Sequence, residues 1–155
     1  MMILTLDPSG DSQTGAFCFE FFDKWEVFTL TGKTSREQGK NLKKWLKNKK
    51  PDCLAWETSY WWKTNKAQSS LRELVYFNGI IGFLVDDLGI KEECQVLNLE
   101  VQKVLNYQLE KAKRLQEIQG QWFFNHQSIN IHERDAILVF YVYWVVKKRR
   151  VWPWA

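Results

Sequence analysis

The sequence predicts an α/β layer architecture: a mixed central sheet of parallel strands plus an antiparallel edge hairpin, flanked by helices. Three observations predict it. Short apolar runs at residues 2–6, 52–56 and 95–97 have the length and composition of buried strands. The stretches between them repeat apolar residues at helical spacing. Two aromatic and β-branched segments, 15–22 and 24–30, follow the first run and read as a hairpin.

Taken in order, the first strand stops at Asp7-Pro8-Ser9-Gly10, a strong turn signal. The hairpin ends at Thr31-Gly32, and Ser35 with Gln38 three residues on offers a capping box. The helix that follows carries Leu42, Trp45 and Leu46 on one face and runs to the breaker at 48–51. Residues 52–56 form a second buried strand, ending at Glu57, and 58–66 a polar and aromatic loop. Residues 69–88 have helical periodicity through Leu71, Leu74, Val75, Gly82 and Val85. Gly79 and Gly82 weaken that helix unless something packs closely on it, as in a dimer. After the strand at 95–97, Val101, Val104, Leu105, Ala112 and Leu115 mark another helix, and 120–130 reads as a loop.

The final element, from about Ile131, is ambiguous. Residues 137–142 have strand propensity. The apolar run 136–146 is long for a strand, however, and the basic residues 147–150 suit a helix C-terminus. A buried helix is the reading that length favours. With no repeat or linker, the 155 residues are expected to form one domain.

Composition narrows the class. Hydrophobic residues make up 45% and charged residues 26%, as in ordinary globular chains. Nine Trp, ten Phe and five Tyr exceed what a core alone needs, which leaves some for stacking or interfaces. The start lacks the basic residues of a signal peptide, and the longest apolar run is shorter than a membrane span of about 20 residues. Cys18, Cys53 and Cys94 share no ligand-like spacing and read as buried, reduced thiols, which fits a cytoplasmic setting.

Three acidic residues share a context. Asp7 and Glu57 each end a predicted strand, and Asp135 opens the final helix with His132 one turn before it. Carboxylates at the carboxyl ends of neighbouring parallel strands converge where α/β proteins bind ligands. Such a group suits two Mg²⁺ ions about 3.5–4 Å apart, which take hard oxygen ligands and assist phosphodiester hydrolysis. Asp7 is placed to bridge the ions, with Glu57 and Asp135 on either side, and His132 to ligate one or orient water. Singly, each has a plainer reading: a turn residue, a strand-end boundary, a charge complementing a helix dipole, a capping histidine.

Asp7-Pro8-Ser9-Gly10 with Thr14-Gly15 resembles the D-P-G…T-G opening of RuvC-type Holliday junction resolvases. Leu54-Ala55-Trp56-Glu57 resembles their strand ending in a catalytic Glu, and His132-Glu133-Arg134-Asp135-Ala136 resembles their H-x-x-D-A helix start. Asn78-Gly79, residues 95–97 and Val101-Gln102-Lys103 follow the same order. The resemblance spans nearly the whole chain, with Ser9 standing where the pattern has Gly. It implies an RNase H-like fold and Mg²⁺-dependent cleavage of four-way DNA junctions by a homodimer, with Mn²⁺ as a substitute and no small-molecule cofactor. Asp7, Glu57 and Asp135 then match the family's carboxylates, His132 a position held by Asp or His, and Lys103 its lysine near the fifth strand. Tyr60 or Trp61 takes the place of an aromatic used against the junction centre.

Basic and aromatic surfaces point the same way. Residues 33–50 hold eight basic residues and one acid, and Lys40, Lys43, Lys44 and Lys47 surround the apolar stripe of their helix. Such a face either binds a phosphate backbone or simply solvates the helix. Lys111, Lys113 and Arg114 form a second cluster, and 147–150 a third. Tyr60-Trp61-Trp62-Lys63 suits base stacking or wedging, or a dimer interface. The C-terminal Val151-Trp152-Pro153-Trp154 is expected to fold onto the body or a partner chain. A structure-selective endonuclease is the leading expectation; an RNA nuclease of the same fold and a non-catalytic nucleic-acid-binding module are the alternatives.

Overall fold

Alternating side-chain direction along the first, wholly buried strand decides where everything else packs. In a computed structural model that describes residues 1–9, 13–58 and 68–155, β1 (Ile3–Asp7) is buried throughout and lies at the centre of a five-stranded sheet. Successive side chains point to opposite faces of a strand. Ile3 therefore joins one core cluster, and Leu4 and Leu6 the other.

The sheet order is β3-β2-β1-β4-β5. The hairpin of β2 (Gln13–Phe21) and β3 (Lys24–Thr31) is antiparallel to β1, whereas β4 (Cys53–Thr58) and β5 (Glu92–Leu97) run parallel to it. Leu6 stands opposite Ala16 on one side and Trp56 on the other, and Asp7 opposite Gly15. Strands buried on both faces are continuous apolar runs, which is why β1 and β4 were legible despite lacking alternation. This is the mixed α/β sheet expected.

Helices α1 (Ser35–Lys49) and α2 (Gln68–Asp87) cover one face. Their Leu42, Leu46, Phe77, Ile81 and Leu84 pack with Leu4, Leu6, Leu54 and Trp56. The buried Trp56 indole donates to Asn78 Oδ1 at 3.0 Å, so its one polar atom is satisfied. The cap of α1 differs from expectation. Thr34, not Ser35, is the N-cap and accepts from the Glu37 amide at 3.2 Å. Gln38 is buried and accepts instead from the Thr14 hydroxyl, which in turn accepts from the Ser9 amide at 3.3 Å. That chain of bonds ties the segment after Asp7 to β2 and α1.

The opposite face carries α3 (Asn98–Tyr107) and α4 (Ile131–Tyr141). The final element is a helix, as its length required. Asn130 and Glu133 form a reciprocal cap: the Asn130 side chain accepts from the Glu133 amide at 2.8 Å, and Glu133 Oε1 accepts from the Asn130 amide at 3.0 Å. Ala136 to Tyr141 are all buried, so the usual polar stripe is missing, and the helix ends in a π-helical segment, Val142–Lys147.

Residues 108–129 depart from expectation. The third helix ends at Tyr107, and the segment read as helix and loop contains a second sheet, β6 (Leu115–Ile118), β7 (Gln121–Phe124) and β8 (Gln127–Ile129). Two-residue turns join these strands, and both residues of each have positive φ: Gln119 (52°) with Gly120 (80°), and Asn125 (47°) with His126 (72°). Paired positive φ values match the twist of adjacent strands in tight hairpins. Trp122 and Phe124 turn inward into the core beside α4.

The C-terminal tail folds onto the body as expected. Trp152 is buried and donates to the Lys113 carbonyl at 2.9 Å, and Trp154 donates to the Phe22 carbonyl at 3.0 Å while its ring packs on Phe17, Phe19, Trp25 and Phe124. Much of the aromatic excess is thus core. Cys18 and Cys53 are buried free thiols, pushed up by burial to about 12 and about 11 respectively, whereas Cys94 is only half-buried. Gly79 and Gly82 have no atom near where a Cβ would lie, so within the described residues nothing packs closely on them. Among those residues no helix is long and apolar enough to cross a membrane.

Candidate metal centre

Asp7 and Glu57 each lie one residue beyond the Leu6–Trp56 pair, on adjacent parallel strands. By alternation both share the face of Ile3, Ala55 and Cys53, the face on which α4 packs. Helix α4 starts at the same sheet end and delivers Asp135 in its second turn. One carboxylate oxygen from each of Asp7, Glu57 and Asp135 lies within 4.8 Å of the others. Three residues separated by up to 128 positions thus meet at one point.

Two contacts fix the approach of α4. The buried Thr5 hydroxyl donates to the Ala136 carbonyl at 2.7 Å. Gly15, opposite Asp7, lies against the helix start: a Cβ there would stand 1.9 Å from the His132 carbonyl oxygen. Only glycine permits that approach, so the Thr14-Gly15 pair has a steric reason to sit beside the acidic strand end.

His132 is placed next to Asp7, with Nδ1 3.1 Å from Asp7 Oδ2. Its ring is not among the three groups that converge within 4.8 Å. The Asp7 side chain is 11% exposed and the His132 side chain 28%, so Asp7 is the buried carboxylate of the three and His132 covers it from the more open side.

Each of the other two carboxylates also has a neighbour that the sequence did not single out. Asn98, the first residue of α3, follows directly on β5 and donates from Nδ2 to Glu57 Oε1 at 2.6 Å. Arg134 Nε donates to Asp135 Oδ1 at 2.8 Å. The only signals available were position after a strand end and adjacency to Asp135, and neither is distinctive without the fold.

The basic residues are spread more widely. Helix α1 begins near the sheet end that carries Asp7 and, at 1.5 Å per residue, runs about 20 Å towards the other end. Lys40, Lys44 and Lys47 are exposed along it, while Lys43 is half-buried and 3.9 Å from Asp87. They flank the sheet face opposite α4 and do not join the carboxylates. Lys103 and Lys111 are exposed on the α4 side of the sheet. Tyr60, Trp61 and Lys63 lie outside the described residues.

No protein-family profile matches the sequence, and no curated protein does either. Solved structures do. The chain is similar to Thermus thermophilus RuvC, with TM-score 0.63 and 15% identity over 92% of this chain and 96% of that one. It is also similar to T. thermophilus RuvC in complex with a Holliday junction substrate, with TM-score 0.58 and 12% identity over 90% of each chain. At that identity the likeness speaks for the fold: this chain has the RuvC-type, RNase H-like α/β fold.

Proposed function

We propose that this protein is a metal-dependent endonuclease that cuts phosphodiester bonds in branched DNA, four-way junctions foremost. One observation carries the reading. The carboxylates of Asp7, Glu57 and Asp135 converge at one end of a RuvC-type sheet, on the face covered by α4.

The donor set fits a hard divalent cation. Three carboxylates within 4.8 Å repel one another, and Mg²⁺ takes oxygen ligands of this kind while keeping waters and substrate phosphates in its remaining positions. Asp7, Glu57 and Asp135 are the residues that hold it, and Mn²⁺ suits the same donors. When bound, such ions lower the pKa of water and stabilise charge on phosphate oxygens. Asn98 keeps the Glu57 carboxylate turned to the cluster, and His132 orders Asp7 and stands where it can orient an attacking water. Exposed Lys40, Lys44, Lys47, Lys103 and Lys111, with Lys43, neutralise the DNA backbone. Tyr60 or Trp61, next to Glu57 in the chain, is the aromatic assigned to the junction centre, and Lys63 a further nucleic-acid contact; all three lie outside the described residues.

The protein works as a homodimer. Tyr76 (57% exposed), Gly79 and Phe83 (63% exposed) form an apolar stripe at helical spacing on α2, beside a groove of about 730 Å³ shared with α1. Among the described residues no atom lies near a Cβ built on Gly79 or Gly82, a surface suited to the same helix of a second copy.

The test is cleavage of a four-way junction, a linear duplex and an RNA hairpin with Mg²⁺ or Mn²⁺. Metal-dependent cutting of the junction is expected, lost in Asp7→Asn and Glu57→Gln while junction binding persists. Preferential cutting of the hairpin would move the substrate to RNA. Junction binding without cleavage under either metal leaves a binding module and sinks the enzyme reading.

A further inference from the structure

Among the described residues, an arginine touches the carboxylate cluster and is held there from two sides. Arg134 Nε donates to Asp135 Oδ1 at 2.8 Å, and the guanidinium carbon lies 4.9 Å from the centroid of the Trp122 ring. The Arg134 and Asp135 side chains are only 15% and 17% exposed, so solvent screens their interaction weakly. Trp122 is itself buried in β7, the middle strand of the second sheet, which fixes the ring under the guanidinium.

The arrangement uses what distinguishes arginine from lysine. A guanidinium donates along its edge to a carboxylate while its face stacks on an indole, and it stays charged across the pH range in which proteins are folded. Asp7, Glu57 and Asp135 bring three carboxylates within 4.8 Å, a grouping that opposes folding whenever no cation is present. A fixed positive charge on Asp135 offsets that repulsion. The same charge must also oppose an entering divalent ion, since Coulomb repulsion acts at these distances as attraction does.

We propose that Arg134, braced by Trp122, is the resident counter-ion of the carboxylate cluster: it stabilises the metal-free fold and weakens cation binding. The second half of this rests on the reading of the three carboxylates as a metal centre; the first half does not. It also gives the second sheet a part in the site, because β7 supplies the ring that holds the arginine in place.

The experiment is a double-mutant cycle on the full chain without DNA: wild type, Arg134→Met, Asp135→Asn and the double variant. Met keeps the apolar stem and removes the charge; if it does not fold, Arg134→Gln replaces it. Thermal unfolding is followed with chelator and with saturating Mn²⁺, and Mn²⁺ affinity is measured by calorimetry. Arg134→Met is expected to lower the metal-free melting temperature, and much less so in the Asp135→Asn background. Saturating Mn²⁺ recovers most of the loss, and Mn²⁺ binds Arg134→Met about tenfold more tightly than wild type. Arg134→Lys, which keeps the charge but loses the stacked fork, is expected to fall between wild type and Arg134→Met in Mn²⁺ affinity. Equal destabilisation in both backgrounds, or unchanged or weaker Mn²⁺ binding by Arg134→Met, overturns the proposal. If wild type binds no Mn²⁺, the metal-centre reading fails, and the metal-free cycle alone then decides whether Arg134 is a counter-ion.

Discussion

At the scale of single residues, the site divides into groups that converge and groups that hold them. Asp7, Glu57 and Asp135 supply the oxygens, while Asn98 and His132 each contact one of those carboxylates without joining the set. Partners of this kind orient a ligand and tune its charge. Asn98→Ala is therefore expected to lower nuclease activity and Mn²⁺ affinity about 10- to 100-fold with little change in melting temperature. Calorimetry and cleavage kinetics on the same preparation check this. Wild-type metal affinity in Asn98→Ala would show that Glu57 needs no such support. The converging residues were legible because each ends a strand or starts a helix, a local signal. Asn98 was not, since its tie to Glu57 depends on β5 lying beside β4 in one register, and a single sequence carries no register across 41 positions.

Among the elements, the strands of the main sheet and the final helix were legible from length, burial pattern and turn residues. Propensity alone would have made residues 137–142 a strand, and the Asn130–Glu133 capping box was an unused signal that they are a helix. The second sheet was missed for a different reason. Its turns, Gln119-Gly120 and Asn125-His126, adopt paired positive φ without the Asn-Gly or Asp-Gly pairs that announce such hairpins. Its strands are only three or four residues long, too short for alternation to register. Helix α2 offers the element-scale prediction. Its exposed Tyr76 and Phe83 flank glycines on which none of the described residues packs closely, so substituting Glu at Tyr76 and Phe83 is expected to convert the proposed dimer to a monomer in sedimentation. Burying like charges against their own copies costs far more than the stripe gains. A wild-type monomer, or a dimer untouched by the double substitution, places the interface elsewhere or removes it.

For the whole molecule, the fold explains why distant residues share one point. A parallel pair, β1 and β4, ends two strands side by side, and Gly15 and Thr5 bring α4 down on that end. The two faces then carry different tasks. The α4 face holds the carboxylates, their supports and the second sheet, while the α1–α2 face carries the lysine-rich helix and the apolar stripe. The central claim is that the meeting point of Asp7, Glu57 and Asp135 is a metal centre. Anomalous diffraction from crystals soaked in Mn²⁺ tests it most directly. The expected result is an anomalous peak among these three carboxylates in the wild type and none there in Glu57→Gln. A Mn²⁺-soaked crystal with the three carboxylates ordered and no peak between them would contradict it.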